Sequence, residues 1–77
     1  MKISEDELKN LISEIARRPA SSITSETSFR RDLRFDSLAT VDLLSALEED
    51  HGIEVPQDVA RTLETYGQLV AFLKKRG

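Results

Sequence analysis

Ser37 is the residue whose type and position first suggest chemistry. It lies between Asp36 and Leu38, where the basic, aromatic segment FRRDLRF gives way to an acidic one. A serine becomes a nucleophile when a base lies within hydrogen-bond reach of its hydroxyl group. The only histidine, His51, is fourteen residues further along a predicted helix, or roughly 21 Å away at the rise of an α-helix. No Gly-x-Ser-x-Gly motif and no suitably spaced lysine surrounds Ser37, so we predict no catalytic residue.

The position of Ser37 favours a modified side chain. Asp36 is a good N-cap, so Ser37 falls in the first turn of a predicted helix. Backbone N–H groups without acceptors and the positive end of the helix dipole favour a phosphate group on a hydroxyl at that place. The site therefore suits modification of the serine hydroxyl group.

Length and composition limit what the protein can be. With 77 residues we expect one domain, residues 1–77, that buries only about 60% of the surface of its unfolded chain. The chain has no cysteine, which excludes disulfides and a thiolate metal site, and we predict no metal ligand. Any thiol must come from outside the chain.

Charge and hydropathy argue against nucleic acid and membrane partners. The net charge is −3, and the stretch from Asp36 to Asp58 holds seven acids and no Lys or Arg. The segment FRRDLRF could be a basic patch for nucleic acid, yet it holds three arginines beside an acidic helix that would repel phosphates. The longest apolar run, residues 69–73, is too short to span a bilayer. We expect a soluble, cytoplasmic protein.

Helix signals occur along the whole chain, and no strand alternation is present. A capping box at Ser4 and Glu7 predicts a first helix from about Glu5. Pro19 stops its continuation, and ASSITSETS is typical of a loop. Further helices are expected from Ser37 to a stop at Gly52, from Pro56 through about Thr62, and after a second capping box at Thr65 and Gln68.

The second predicted helix has two different faces when wound at about 100° per residue. Thr40, Leu43, Leu44 and Leu47 form an ordinary core face. The opposite arc holds Ser37, Leu38, Val41, Asp42, Ser45, Glu48 and Glu49. That arc is either a solvated face with two exposed apolar side chains or a docking strip whose acids steer a basic partner.

The chain resembles the acyl carrier proteins at these residues. The resemblance rests on Asp36-Ser37-Leu38 at the start of the second helix, Val41-Asp42-Leu43, Leu47-Glu48-Glu49 and Ile53-Glu54-Val55-Pro56, in this order and in a chain of family length. It implies an all-α fold, a small four-helix bundle of acyl-carrier type with three longer helices, one short third helix and a long first loop.

The resemblance also implies a function. A phosphopantetheinyl transferase would move 4'-phosphopantetheine from coenzyme A onto Ser37, and the thiol of this arm would hold acyl groups as thioesters. Further partners would be acyl-transfer and ketoacyl synthase type enzymes. The protein itself would be a monomeric carrier and not an enzyme. The residues expected to contact these partners are Asp36, Leu38, Val41, Asp42, Glu48 and Glu49. Three further residues match core positions of the family, namely Phe29, Leu47 and Leu63. In some carriers such positions border an acyl cavity; otherwise they belong to the ordinary hydrophobic core.

Four positions depart from the family pattern. Arg34 stands where a glycine is frequent, Ala39 replaces a frequent acid, Ser45 replaces a common apolar residue, and His51 replaces an aromatic one. These changes are either drift on a solvated surface or adaptation to partners other than the general fatty-acid synthase. The alternative function is a small helical regulatory module phosphorylated at Ser37.

Overall fold

A computed structural model describes residues 2–76, and its two longest helices begin and end at the predicted signals. Helix α1 spans Glu5–Ala16. The Glu7 N–H donates to Ser4 Oγ at 3.1 Å, which confirms the first capping box. Helix α2 spans Ser37–His51 and ends at Gly52, whose φ of 65° is the left-handed conformation that glycine adopts at low cost.

The shorter elements differ slightly from the sequence prediction. Helix α3 spans Gln57–Ala60 and ends two residues earlier than expected. The N–H groups of Thr62 and Leu63 donate three residues back, so the chain tightens into single turns there instead of extending the helix. The predicted loop after Pro19 contains a 3₁₀ turn, Ala20–Ser22. Helix α4 spans Tyr66–Arg76, and the Gln68 N–H donates to Thr65 Oγ1 at 3.2 Å as the second capping box requires.

One apolar core joins α1, α2 and α4. Leu8, Ile12 and Leu47 are fully buried in it. Ile3, Ile23, Leu33, Leu43, Ile53, Val55, Tyr66, Leu69, Val70 and Leu73 complete it. Each helix therefore turns one apolar face inward, and the outer face of α2 stays in solvent.

The long first loop is fastened to the start of α4 by backbone hydrogen bonds. The N–H groups of Tyr66 and Gly67 donate to the carbonyl oxygens of Thr27 (2.9 Å) and Ser25 (3.0 Å). The first N–H groups of a helix have no acceptor within it. The loop supplies those acceptors for α4 and gains a fixed path across the core.

The predicted fold class is confirmed. All the regular elements between residues 2 and 76 are helical, and the extended contact in that range is an isolated antiparallel bridge between Ser28 and Thr65. None of the helices described is long and apolar enough to cross a membrane. The arrangement is the expected small all-α bundle with a short third helix.

Candidate functional site

Asp36 sets the start of α2 and leaves Ser37 free. Asp36 Oδ1 accepts the Ala39 N–H at 2.8 Å, and the Asp36 carbonyl accepts Thr40 Oγ1 at 3.0 Å. Ser37 is the first helical residue and is exposed. Within the part of the chain that the structure describes, its hydroxyl group makes no hydrogen bond. Because the neighbouring aspartate performs the capping, the serine hydroxyl is available to a modifying enzyme.

The structure provides no catalytic partner for Ser37. His51 is the last residue of α2 and Ser37 the first, so a helix of 15 residues separates them. No group of His, Asp and Glu residues within 2–76 is arranged to hold a metal ion. Among the described residues, none is placed to act as a base for the Ser37 hydroxyl group.

The two predicted faces of α2 are confirmed. Leu43 and Leu47 are buried, and Thr40 and Leu44 are half-buried. On the other face, Leu38 is 68% exposed and Val41 is 50% exposed. They are the two exposed large apolar side chains in the part of the chain that the structure describes. The same face exposes Ser37, Asp42, Ser45, Glu48 and Glu49.

An open groove of about 740 Å³ runs beside Ser37. One wall is α2, with Ser37, Thr40, Val41 and Leu44. The opposite wall comes from two segments that are distant in sequence, with Ser28, Phe29, Arg30 and Arg31 from the first loop and Gln57, Ala60, Arg61 and Glu64 around α3. Phe35 and Asp36, which directly precede the serine in the chain, also line the groove. An extended group attached to Ser37 can lie along this groove.

Two aromatic rings, those of Phe29 and Phe35, form part of the lining of the groove. The Phe29 and Phe35 ring centroids are 5.3 Å apart and tilted by 50°, a favourable aromatic arrangement. Of the three residues expected to border an acyl cavity, Phe29 alone lines the groove. Leu47 is fully buried core, and Leu63 packs partly buried against the core.

A second, smaller hollow of about 360 Å³ shares Phe35 and Asp36 with the groove, and its lining includes both sequence neighbours of Ser37, Asp36 and Leu38. Arg18 and Arg34 line it together with Leu38 and Asp42. Arg34 has a φ of 53°, a conformation that residues other than glycine rarely adopt. A glycine is frequent at this position in the family, and that preference could have indicated the left-handed backbone conformation from the sequence.

Sequence reasoning missed Arg61 as a neighbour of Ser37. The two residues are far apart in the chain, and no periodicity connects them. They line one groove because the Phe29 N–H donates to the Glu64 carbonyl at 3.0 Å, which brings the first loop against the segment after α3. Arg30 and Arg31 were noticed for their charge, but their place opposite α2 depends on the same contact.

Comparison with known proteins identifies a family and a relative. The profile of a family described as "Phosphopantetheine attachment site" matches residues 6–73. An acyl carrier protein of Rickettsia canadensis (strain McKiel) is 33% identical over 72 residues, which cover 94% of this chain and 84% of that protein.

The described residues fit the prosthetic group that this family bears, 4'-phosphopantetheine. The first turn of α2 has an exposed serine with a free hydroxyl, and the groove beside it has both polar and apolar walls. The bound arm supplies the thiol that the chain lacks. The protein therefore belongs to the acyl carrier protein family, whose members carry acyl groups on a covalent 4'-phosphopantetheine arm for acyl-handling enzymes and are not themselves enzymes.

Proposed function

We propose that Ser37 is the residue that carries 4'-phosphopantetheine and that residues 1–77 form one acyl carrier domain. The observation that carries the proposal is the exposed hydroxyl group of Ser37 in the first turn of α2, free because Asp36 caps the helix. Two other serine hydroxyl groups are engaged in hydrogen bonds within the chain. The Ser4 hydroxyl bonds to Glu7, and the Ser28 hydroxyl accepts the Arg31 N–H at 3.1 Å.

Mass spectrometry of a loading reaction tests this assignment. The apo protein, incubated with coenzyme A, Mg²⁺ and a broad-specificity phosphopantetheinyl transferase, should gain one arm of about 340 Da by formula arithmetic, and Ser37→Ala should gain none. Ser45→Ala is the matched control, since Ser45 is also an exposed serine of α2, and it should load normally. Loading of Ser37→Ala would refute the assignment.

The alternative is phosphorylation of Ser37 in a regulatory helical module. A phosphate ester would use the same free hydroxyl group, so the geometry around Ser37 suits either modification. The intact mass of the protein from its native cell separates them, because a phosphate adds about 80 Da and no thiol. A thiol-reactive mass gain of the larger size supports the carrier function.

The outer face of α2 is the proposed docking strip, formed by Asp36, Leu38, Val41, Asp42, Glu48 and Glu49. Its support is the combination of exposed acids with exposed Leu38 and Val41. Acids steer a basic partner toward the serine, and the two apolar side chains lose water when that partner binds. The partners proposed are a phosphopantetheinyl transferase and acyl-transfer and ketoacyl synthase type enzymes.

The carrier is further proposed to serve a dedicated acyl or polyketide pathway rather than general fatty-acid synthesis. Its support is the composition of the surface around Ser37. Ala39 and Ser45 lack the acid and the apolar group that are frequent there, and Arg18 and Arg34 share a hollow with Leu38 and Asp42. Arginines at that place oppose an enzyme with a strongly basic carrier site.

The proposal extends to a monomer that works in the cytoplasm. Sedimentation of the purified protein and fractionation of its native cell check these two points.

A further inference from the structure

Three arginines face α2 across the groove. Arg30 and Arg31 lie on the first loop, and Arg61 follows α3 directly. The Phe29 N–H bond to the Glu64 carbonyl and the Ser28–Thr65 bridge join the two segments, so the arginines belong to one wall. Ser37 lines the other wall together with Phe35 and Asp36.

The loop that bears Arg30 and Arg31 is held in a defined turn. Asp32 Oδ2 accepts the Ser28 N–H at 2.7 Å, and Ser28 Oγ accepts the Arg31 N–H at 3.1 Å. The Phe35 N–H closes the turn on the Phe29 carbonyl at 2.8 Å. The turn therefore holds the backbone of both arginines in place. When an arginine binds a ligand, the loss of conformational entropy is limited to its side chain.

The charge of the groove is not balanced within the chain. All three arginines are exposed, and none forms an ion pair with any residue between 2 and 76. The groove also contains the carboxylates of Asp36 and Glu64. Three positive groups against two negative ones leave one positive charge unmatched.

We infer that Arg30, Arg31 and Arg61 bind the phosphodiester of the prosthetic arm and so hold the arm in the groove. The inference rests on the proposed attachment at Ser37. A phosphodiester carries one negative charge, which matches the one unbalanced positive charge, and its link to the Ser37 oxygen fixes it beside the groove. Guanidinium groups recognise phosphate oxygens through paired N–H donors.

The rest of the groove suits the rest of the arm. Pantetheine alternates amide groups with short apolar segments. Thr40 and Gln57 offer hydrogen-bonding side chains along the groove, and Phe29, Val41 and Leu44 offer apolar surface. The arm at rest lies against the protein, and a partner enzyme has to draw it out.

Thermal unfolding of the apo and loaded forms tests the inference. The variants are Arg30→Gln/Arg31→Gln and, separately, Arg61→Gln. Lys74→Gln/Lys75→Gln is the control, because it removes two exposed charges away from the groove. Each protein is loaded to completion, as verified by mass.

Loading should raise the Tm of the wild type and the control by on the order of 4 °C. The rise should shrink by at least about half in both arginine variants, and high salt should reduce it in the wild type. The ³¹P resonance of the arm should shift with salt in the wild type and in the lysine control, and it should not shift in the arginine variants.

Three outcomes are distinguishable. Failure of the wild type to gain mass would overturn the proposed function, not only the inference. Equal effects of loading on the Tm and on the ³¹P resonance in wild type and both arginine variants would overturn the inference alone. A Tm rise that appears only when the arm carries a succinyl group, and not with a butyryl group or a free thiol, would assign the arginines to a carboxylate cargo and overturn the phosphodiester assignment.

Discussion

The backbone N–H of Gly67 donates to the carbonyl oxygen of Ser25 at 3.0 Å, and a Cβ placed on Gly67 would lie 2.7 Å from that same oxygen. The ideal Cβ would also approach Ser25 Cβ to 2.9 Å. This contact fixes the first loop to α4, and it requires a residue without a side chain.

Gly67→Ala should therefore destabilise the protein, although alanine is the better helix former. The nearest atom is backbone and cannot move aside without loss of the hydrogen bond, so a cost of about 1–3 kcal/mol is expected. The urea midpoint measures it. Gly52→Ala is the comparison, since nothing lies within 4 Å of a Cβ there and only the left-handed backbone opposes it, at about 1 kcal/mol. A midpoint for Gly67→Ala at or above the wild-type value would contradict the close approach.

Arg34→Gly should stabilise the protein. The φ of 53° at Arg34 costs a residue with a side chain about 1–2 kcal/mol, and glycine would remove this cost. Glycine also raises the conformational entropy of the unfolded chain, which offsets part of the stabilisation. A net rise of about 0.5–1 kcal/mol in the free energy of unfolding is expected. Arg34→Ala removes the same charge but keeps the Cβ, and it should show no such gain. Equal effects of the two variants would assign the change to charge instead of backbone conformation.

Reversing an acid on the docking strip should slow association with the phosphopantetheinyl transferase. Asp42 and Glu48 are exposed while Leu43 and Leu47 point into the core, so Asp42→Lys and Glu48→Lys should leave the fold intact and lower the on-rate roughly tenfold at low salt. Raised salt should produce the same effect in the wild type. Glu14→Lys on α1 is the control with the same change of net charge. If neither charge reversal nor salt changes the transferase kinetics, this face is a solvated surface and not a docking strip.

A general ketoacyl synthase should discriminate against this carrier. The malonyl-loaded protein and a housekeeping carrier are compared with the same synthase system. Each altered position on the docking face costs up to about 1 kcal/mol, and together they should lower kcat/KM by on the order of tenfold. Ala39→Asp with Ser45→Met should restore part of the loss. Equal kcat/KM for the two unaltered carriers would refute a dedicated pathway.

Tyr66 should make the fold sensitive to alkali. Burial, and next the negative charge of Glu5, raise the pKa of Tyr66 from about 10 to about 12, and the phenol donates to Glu5 Oε1 at 3.3 Å. The folded protein holds this proton to higher pH than the unfolded chain, so the stability gained is complete below about pH 10 and is lost as the pH rises through about 12. Tyr66 is the only tyrosine, so phenolate absorbance follows it directly. Glu5→Gln should lower the pKa part of the way, since the burial remains. A midpoint near 10 in the wild type would contradict the buried phenol.

The helices could be predicted from the sequence because their signals are local. Ser4 with Glu7, Asp36 before Ser37, and Thr65 with Gln68 each lie within one helical turn, and every one forms its expected bond. The outward face of α2 follows from the same periodicity.

The groove could not be predicted, because its walls meet through contacts that leave no pattern in the sequence. The Phe29 bond to Glu64 and the Gly67 bond to Ser25 join backbone groups, and any residue types offer those groups. The position of Arg61 opposite Ser37 follows from these bonds. The shorter α3 has a similar cause, since the residue types around Thr62 suit an α-helix and a tighter turn alike.

The dependence of α4 on the first loop has a consequence for how the molecule opens. The amides of Phe29, Tyr66 and Gly67 all donate across the contact between the first loop and the chain around the start of α4, so we expect opening of this contact to expose all three to exchange. The loop and the first turn of α4 should behave as one cooperative unit in hydrogen exchange. We therefore expect the first loop to open to solvent together with the first turn of α4 and not as an independent flexible segment.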